Sequence, residues 1–391
     1  RAMQVERKGF HGPKDLLQPI EQATIQRQIT ERIDWLKAKL DKGSYVVQKG
    51  KSLDEGAFEH FDIQLRPEHR VALAPIQFYC SASTTGLFDK DAPDERIDLN
   101  TCSSAIPQEL LEVLGEAPND MLVVRSSTTW GYMEKNAPLS PPLQRTEVER
   151  ILTSPSALLR EARAADSIHP AIPAHTRLPL TNNGEVLVAA SSGLQAMSVG
   201  ADAVTHTARP LSRRALLEDA FQYLDQPYGY GGKDGGIDCS RFMMSLFAGF
   251  GLHLPRHSSW QAKAGDFMLS VKGLDDDKKI DLIDEASNRG IVLLHLPGHI
   301  MLYLGRNPEG RPMVIHALGH YKEACDEGGE TTFQVDRVQV SDLELGRGTS
   351  RKAFVERVTR VTVIGDAPGK GAPTALALFA FLGLMRRRDQ A

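Results

Sequence analysis

The chain has 391 residues and a formal net charge of −4, with 41% hydrophobic and 25% charged residues. A chain this long exceeds one ordinary hydrophobic core, so we expect several domains. There is no basic stripe with interleaved aromatic residues and the net charge is slightly acidic, which gives no reason to expect a nucleic-acid partner.

Residues 1–70 are predicted to form a helical segment. Apolar residues recur there every three or four positions, at Ile25, Ile29, Ile33, Leu36 and Leu40. This spacing places them on one face of a helix, and Gly43 follows as a plausible C-terminal cap. We expect the stripe to pack on a core; a partner-binding helix is the alternative.

Two small β modules are predicted next, at residues 71–140 and 166–207. Short β-rich runs such as "RVALAPIQFYCSAS" and "TRLPLTNNGEVLVAASSG" contain or are separated by turn residues, as is typical of small barrels or sandwiches. Residues 141–165 are predicted to be a helical connector, with its helix broken near Pro155. Modules of this kind usually bind or position something and rarely carry the chemistry.

The four cysteines stand at positions 80, 102, 239 and 325, too far apart for a C-x-x-C metal or redox motif. Cys80 and Cys102 form either a disulfide, in an oxidising compartment, or two free buried thiols. Since no cluster of metal-ligand residues is apparent, we expect neither a metal nor a cofactor.

Residues 208–366 are predicted to form an α+β domain, because helices come first and an antiparallel sheet follows. Ser212 is expected to cap a helix over residues 213–224, and a second helix begins near Cys239. The strands are "GIVLLHL", "HIMLYLG", "PMVIHALG" and "AFVERVTRVTVIG". The acidic stretch "YKEACDEGGETTFQV", from Tyr321, is expected to form a loop beside the site.

Cys239 follows a glycine-rich turn in "PYGYGGKDGGIDCSRF" and stands on the first turn of a predicted helix. A thiol reacts as the thiolate, and a helix N-terminus favours negative charge, so we expect a lowered pKa and a nucleophilic role. The alternative is a small buried apolar residue.

Two histidines have suitable settings for a partner to this thiol. Alternation along "GHIMLYLG" and "PMVIHALG" allows His299 and His316 to lie side by side on neighbouring antiparallel strands. His299 would be the base, and His316 would hold its ring in the correct tautomer. His295 and His320 are rivals at nearly the same positions.

The motifs "PYGYGG…GIDCSRF", "LPRHSSWQ", "GHIMLYLG" and "VIHALG", over about residues 212–364, resemble those of the NlpC-type cell-wall cysteine peptidases. The resemblance implies a papain-like core with Cys239 as nucleophile, His299 as base and His316 as the third polar residue. No metal takes part in such a site.

The same resemblance implies a substrate pocket lined by a further set of residues: Tyr228, Asp238, Ser240 and Ser258. Arg256 and Gln261 complete an R-x-S-x-x-Q pattern. The chain departs from the family at Arg241, where glycine is usual, and at Tyr230, where tryptophan is common. Arg241 could narrow the pocket, bind a carboxylate or point to solvent.

The upstream half resembles a subgroup in which a helical segment and two bacterial SH3-like modules precede the peptidase domain. This implies hydrolysis of the bond between γ-D-glutamate and the diamino acid of peptidoglycan stem peptides with a free N-terminal L-Ala, whose ammonium Asp238 would bind. The alternatives are an SH3-like wall-binding protein with an inactive peptidase domain, and a thiol acyltransferase or amidase on the same core.

The C-terminal tail, residues 367–391, combines an uncharged stretch at 371–385 with three arginines at 386–388. The stretch is shorter than the roughly 20 residues that a spanning helix needs. We expect either a terminal helix packed on the body or a membrane-associated sorting tail. The tail favours the bacterial cell envelope, in particular the periplasm, over a recycling role in the cytoplasm.

Overall fold

A computed structural model of the chain describes residues 13–91, 94–159, 163–165, 168–173, 176–205 and 210–365. The α-helices are α1 (Gln22–Asp41), α2 (Arg145–Thr153), α3 (Arg213–Phe221), α4 (Cys239–Ala248), α5 (Ser258–Gln261), α6 (Asp276–Ser287) and α7 (Phe354–Arg357). Short 3-10 helices lie at Pro13–Leu17 and Tyr230–Gly235.

The strands fall into three groups along the chain. The first β unit contains β1 (Tyr45–Val47), β2 (Glu68–Val71), β3 (Ile76–Tyr79), β4 (Leu87–Asp89), β5 (Thr101–Ala105), β6 (Leu110–Ala117), β7 (Met121–Arg125) and β8 (Trp130–Glu134). The second β unit contains β9 (Ser156–Leu159), β10 (Arg163–Ala165), β11 (Ile168–Ile172), β12 (Arg177–Pro179), β13 (Val186–Ala190), β14 (Gly193–Met197) and β15 (Val204–Thr205). The α+β domain, residues 210–365, contains β16 (Phe267–Ser270), β17 (Ile291–Leu296), β18 (His299–Arg306), β19 (Pro312–Ala324), β20 (Glu330–Asp342) and β21 (Arg360–Ile364).

Helix α1 confirms the predicted apolar stripe, because its buried residues are Ile25, Ile29, Ile33 and Leu36. They share a core with the first β unit. The prediction that residues 1–70 are helical is wrong beyond α1, since β1 pairs with β4 and β2 joins the following sheet. Cys80 and Cys102 form a disulfide within the first β unit.

The six-stranded sheet of the first β unit has the order β2-β6-β7-β8-β3-β5. Its end strands, β2 and β5, do not pair with each other in the described part of the chain, so the sheet is open. The β-rich upstream half is as expected, whereas its division into domains and the SH3-like barrels remain predictions.

The helical connector ends earlier than predicted. Helix α2 stops at Thr153, and Ser154 is extended, because the ring of Pro155 disfavours the helical conformation of the preceding residue. The chain continues as β9, the central strand of the sheet β12-β9-β15. The prediction of helix after Pro155 is therefore wrong, and the second β unit begins near residue 156.

The α+β domain has a six-stranded antiparallel sheet of order β16-β21-β17-β18-β19-β20, which confirms the predicted class. Helices α3 and α4 share a core with one face of the sheet, and α6 and α7 share a core with the other. The Ser212 hydroxyl accepts a hydrogen bond from the Ala215 N–H at 3.2 Å, so Ser212 caps α3 as predicted.

The expected acidic loop from Tyr321 is instead the end of a long hairpin. Strands β19 and β20 pair from Met313 and Asp342 to Ala324 and Glu330, and the ring centroids of Tyr321 and Phe333 stack at 5.4 Å. Alternating residues with cross-strand partners extend the ladder into the region where charge alone suggested a loop.

The C-terminal tail, residues 367–391, lies outside the described residues, so its membrane association remains a prediction. In the segments that the structure does describe, no helix has both the length and the apolar character needed to cross a membrane.

Candidate active site

The turn before Cys239 positions it as the first residue of α4. Asp238 caps this helix: its carboxylate accepts hydrogen bonds from the N–H of Arg241 at 2.7 Å and of Gly231 at 3.0 Å. Gly231 and Gly232 have φ of 63° and 87°, a left-handed conformation that glycine adopts without strain. The predicted placement of the thiol at a helix N-terminus is confirmed.

The thiol itself is 7% exposed, and burial raises the pKa of Cys239 to about 12, with the Asp238 charge adding to the rise. The backbone N–H groups of Ile300 and Ser240 act in the opposite direction but do not outweigh burial. The expectation of a lowered pKa is therefore wrong for the free protein, because a dry site penalises the thiolate.

His299 and His316 form the pair that alternation predicted. His299 Nε2 lies 2.7 Å from His316 Nδ1, and His316 Nε2 lies 3.0 Å from Ser341 Oγ. Burial lowers the pKa of His316 to about 3, and burial followed by the His316 ring lowers the pKa of His299 well below its ordinary value. Both imidazoles are therefore neutral at pH 7.

The geometry leaves His299 Nδ1 on the side of its ring away from His316. The residue after His299, Ile300, has a backbone N–H that acts to lower the pKa of Cys239. The register between β18 and β19 runs from Leu302, paired with Ile315, so both histidines lie just outside the paired segment. A neutral, oriented imidazole can take the proton of a neutral thiol as the sulfur attacks.

Asp238 is held by a buried salt bridge. Arg256 Nη2 and Nη1 donate to its carboxylate at 2.6 and 3.2 Å, and Ser240 Oγ donates at 3.0 Å. Arg256 also donates to Ser240 Oγ at 2.7 Å, and Gln261 Nε2 donates to the Ser240 carbonyl at 2.8 Å. The charge of Asp238 is thus already compensated, and its binding of a substrate ammonium remains a prediction.

Arg241 does not enter a cleft beside the thiol. Its guanidinium is buried and donates from Nη2 to the Ser104 carbonyl at 3.2 Å and to the Glu109 carboxylate at 3.1 Å. Both acceptors belong to the first β unit. The residue that departs from the family pattern therefore ties α4 to the upstream half of the chain.

A second contact explains the glycines of the turn. A Cβ at Gly231 would collide with Thr101, and one at Gly232 would collide with Ser104. Arg256 Nε also donates to Ser103 Oγ at 2.7 Å. Strand β5 thus packs directly on the turn that positions Cys239.

A cleft of ≈ 270 Å³, here called the His299 cleft, opens beside the histidine pair. Tyr228, Tyr230 and His299 line it, together with Ile97 and Leu99 from the first β unit. Cys239 is not among the described residues that line this cleft, but its charge contributes, after burial, to the raised pKa of Tyr228, which does line it.

The remaining predicted residues occupy different places. Ser258 begins α5 and is partly buried, but it is not among the described residues that line the His299 cleft. Of the rival histidines, His320 lines the cleft and contacts Arg351, while His295 lies on β17 with its Nε2 buried and without a hydrogen-bond partner in the part of the chain that the structure describes. Among the described residues no group of His, Cys, Asp and Glu could hold a metal ion.

Two groups at the site, the Ser341 hydroxyl and the Ile300 amide, were not predicted from the sequence. The alternation of β20 would have placed Ser341 on one face with Gln339, which donates from Nε2 to Ser341 Oγ at 2.8 Å. A backbone amide carries no side-chain signal, so Ile300 could be found only from the structure.

Comparison with known proteins matches this domain to one family. Residues 225–339 match the model of the NlpC/P60 family. Over 176 residues the chain is 30% identical to the γ-D-glutamyl-L-lysine dipeptidyl-peptidase of Bacillus subtilis (strain 168), covering 44% of this chain and 54% of that protein. The match thus spans about half of the relative's length.

Solved structures are similar as well. An NlpC/P60 endopeptidase from Photobacterium damselae subsp. piscicida has a TM-score of 0.65 and 14% identity, covering 77% of this chain and 74% of that chain. This similarity shows a shared fold. An NlpC/P60 family protein from Bacillus cereus ATCC 10987 has a TM-score of 0.46 and 14% identity, covering 75% of this chain and 98% of that chain.

Proposed function

Since residues 225–339 of this chain are an NlpC/P60 domain, we propose that the protein is a cysteine endopeptidase of peptidoglycan stem peptides. It hydrolyses the bond between γ-D-glutamate and the diamino acid. The observations that carry this proposal are the Cys239 thiol at a helix N-terminus, the hydrogen-bonded pair His299–His316, and the effect on that thiol of the Ile300 amide, which follows His299 in the chain. The named activity of the Bacillus subtilis relative supports the choice of bond.

The proposed reaction starts from the neutral thiol and imidazole. His299 Nδ1 takes the proton of Cys239 while the sulfur attacks the γ-glutamyl carbonyl, and His316 Nδ1 accepts the hydrogen bond from His299 Nε2–H. The Ile300 and Ser240 amides stabilise the negative charge on sulfur. His299 then protonates the leaving amine, and a water molecule deprotonated by His299 hydrolyses the thioester.

A free N-terminal L-Ala on the substrate is part of the proposal. Ile97 and Leu99 bring the first β unit to the wall of the His299 cleft, and Arg241 and Arg256 bond that unit to α4. We propose that this wall limits how far the N-terminal side of the substrate extends from the cleaved bond, which favours short peptides with a free L-Ala over intact cross-linked wall.

We also propose that the protein acts in the bacterial cell envelope. The disulfide between Cys80 and Cys102 supports this, because structural disulfides persist in oxidising compartments and are rare in the cytosol.

The test is incubation with L-Ala-γ-D-Glu-L-Lys and L-Ala-γ-D-Glu-meso-diaminopimelate, followed by measurement of the released diamino acid. We expect release by the wild type, none by Cys239→Ala, and slower release when the N-terminal amine is acetylated. The proposal would be overturned if the wild type released no diamino acid, or if Cys239→Ala released as much as the wild type. Binding to isolated cell wall without release would favour a wall-binding protein, and transfer to an added amine would favour an acyltransferase.

A further inference from the structure

The lining of the His299 cleft has an unusual charge. Its described residues include four cations, Lys322, Arg351, Lys352 and Arg357, and no aspartate or glutamate. The chain as a whole has a formal net charge of −4, so this concentration of positive charge is local. A cleft with one sign of charge concentrates ligands of the opposite sign.

Three of these cations, Arg351, Lys352 and Arg357, have no carboxylate partner among the described residues. Lys322 is paired with Glu330, whereas Arg351 bonds the neutral ring of His320. Arg357 places its guanidinium carbon 4.9 Å from the centre of the Phe354 ring, and its Nε is buried and has no hydrogen-bond partner within the described ranges. Burial and then the Arg351 charge lower the pKa of Arg357 to about 10. A bound anion would offset both the burial of this charge and its repulsion by Arg351.

Arg351 and Arg357 also lie near His299, the proposed catalytic base. The Phe354 ring stacks on His299 with centroids 6.0 Å apart, and both arginine charges contribute to the lowered pKa of His299. The base that is proposed to protonate the leaving amine thus has two cations beside it.

We propose that Arg351 and Arg357 form a carboxylate-binding subsite for the leaving group of the substrate. The inference rests on the proposed function, since in a γ-glutamyl-diamino acid peptide the departing nitrogen sits one carbon from a carboxyl group. When the diamino acid ends the peptide, that carboxylate is free and reaches the arginines. When that carboxyl group is joined to D-Ala or converted to an amide, its negative charge is lost. The preferred substrates are therefore stem peptides that end at the diamino acid.

The first experiment compares L-Ala-γ-D-Glu-L-Lys as the free acid and as the C-terminal amide. We expect the wild type to prefer the acid in kcat/KM by about 10-fold to 100-fold, as one or two charge-assisted hydrogen bonds would give. Arg351→Gln and Arg357→Gln should reduce the preference, and Arg357→Lys should keep part of it. The exposed control Arg214→Gln should leave it unchanged.

The second experiment does not depend on peptidase activity. Iodoacetate and iodoacetamide differ in one negative charge, and mass spectrometry follows their reaction with Cys239, with the exposed Cys325 as internal reference. At Cys239 we divide the rate with iodoacetate by the rate with iodoacetamide, and we normalise this ratio to the same ratio at Cys325. We expect the normalised ratio to fall several-fold in Arg357→Gln and Arg351→Gln but not in Arg214→Gln.

The outcomes separate the two proposals. No cleavage of either peptide, with a rate ratio that depends on Arg357, would overturn the peptidase assignment and retain the anion subsite. Equal kcat/KM for acid and amide in the wild type, or a rate ratio that is the same in all variants, would overturn the subsite.

Discussion

Asp238→Asn and Arg256→Gln should both destabilise the α+β domain, yet they should change the reactivity of Cys239 in opposite directions. Asp238 is 6% exposed and Arg256 is 3% exposed, with 2.6 Å between carboxylate and guanidinium. Burial acts to raise the pKa of Asp238, but the charge and hydrogen bonds of Arg256 hold it below its ordinary value. Each single substitution leaves the other charge buried and unpaired.

The expected loss in free energy of unfolding is about 3–5 kcal/mol for either variant, the usual cost of breaking a buried ion pair from one side. The double variant should lose less than the sum of the two, since it leaves no buried charge. Urea unfolding, followed by a signal from the α+β domain, measures these differences.

The thiol distinguishes the two variants. The Asp238 charge raises the pKa of Cys239, and the Arg256 charge lowers it. Alkylation of Cys239 by iodoacetamide should therefore begin at lower pH in Asp238→Asn and at higher pH in Arg256→Gln than in the wild type. Shifts of the same sign in both variants would mean that the two charges do not act on the sulfur in opposite directions. A loss of stability below about 1 kcal/mol in each would mean that the pair is solvated. Either result would contradict this prediction.

Three further outcomes are expected. Ser341→Ala, which removes the partner of His316 Nε2, should lower kcat about 10-fold with little change in KM; an unchanged kcat would count against a positioning role. The pKa of His316 is about 3 in the folded protein and near 6.5 in the unfolded chain, so unfolding takes up a proton below pH 6.5. The free energy of unfolding should therefore fall as the pH is lowered, by up to about 1.4 kcal/mol per pH unit for this residue. A flat profile of thermal unfolding between pH 6.5 and 5 would contradict this. Gly232→Ala should lower the melting temperature and loosen the contact with Ser104, which faster proteolysis between the β unit and the α+β domain would report.

Much of the local structure near the site could be predicted from the sequence. The glycine-rich turn, the helix that begins at Cys239 and the alternation that brings His299 to His316 are local patterns, and the structure contains all three. They were predictable because period and turn chemistry depend on near neighbours in the chain. The helix predicted past Pro155 and the loop predicted from Tyr321 were wrong where a proline and a cross-strand partner decided the outcome.

The class of the α+β domain and the residue types of a thiol site follow from spacing along the chain and are therefore readable in the sequence. The raised pKa of Cys239, the partners of Arg241 and Arg256, and the cations beside His299 depend on how distant segments fold together. The burial of a site and the electrostatic field at it are produced together by residues that lie far apart in the chain. The pKa of a group and the formation of an ion pair depend on both. The glycine-rich turn that precedes Cys239 in the sequence is, in the folded protein, also the surface that contacts strand β5 of the first β unit.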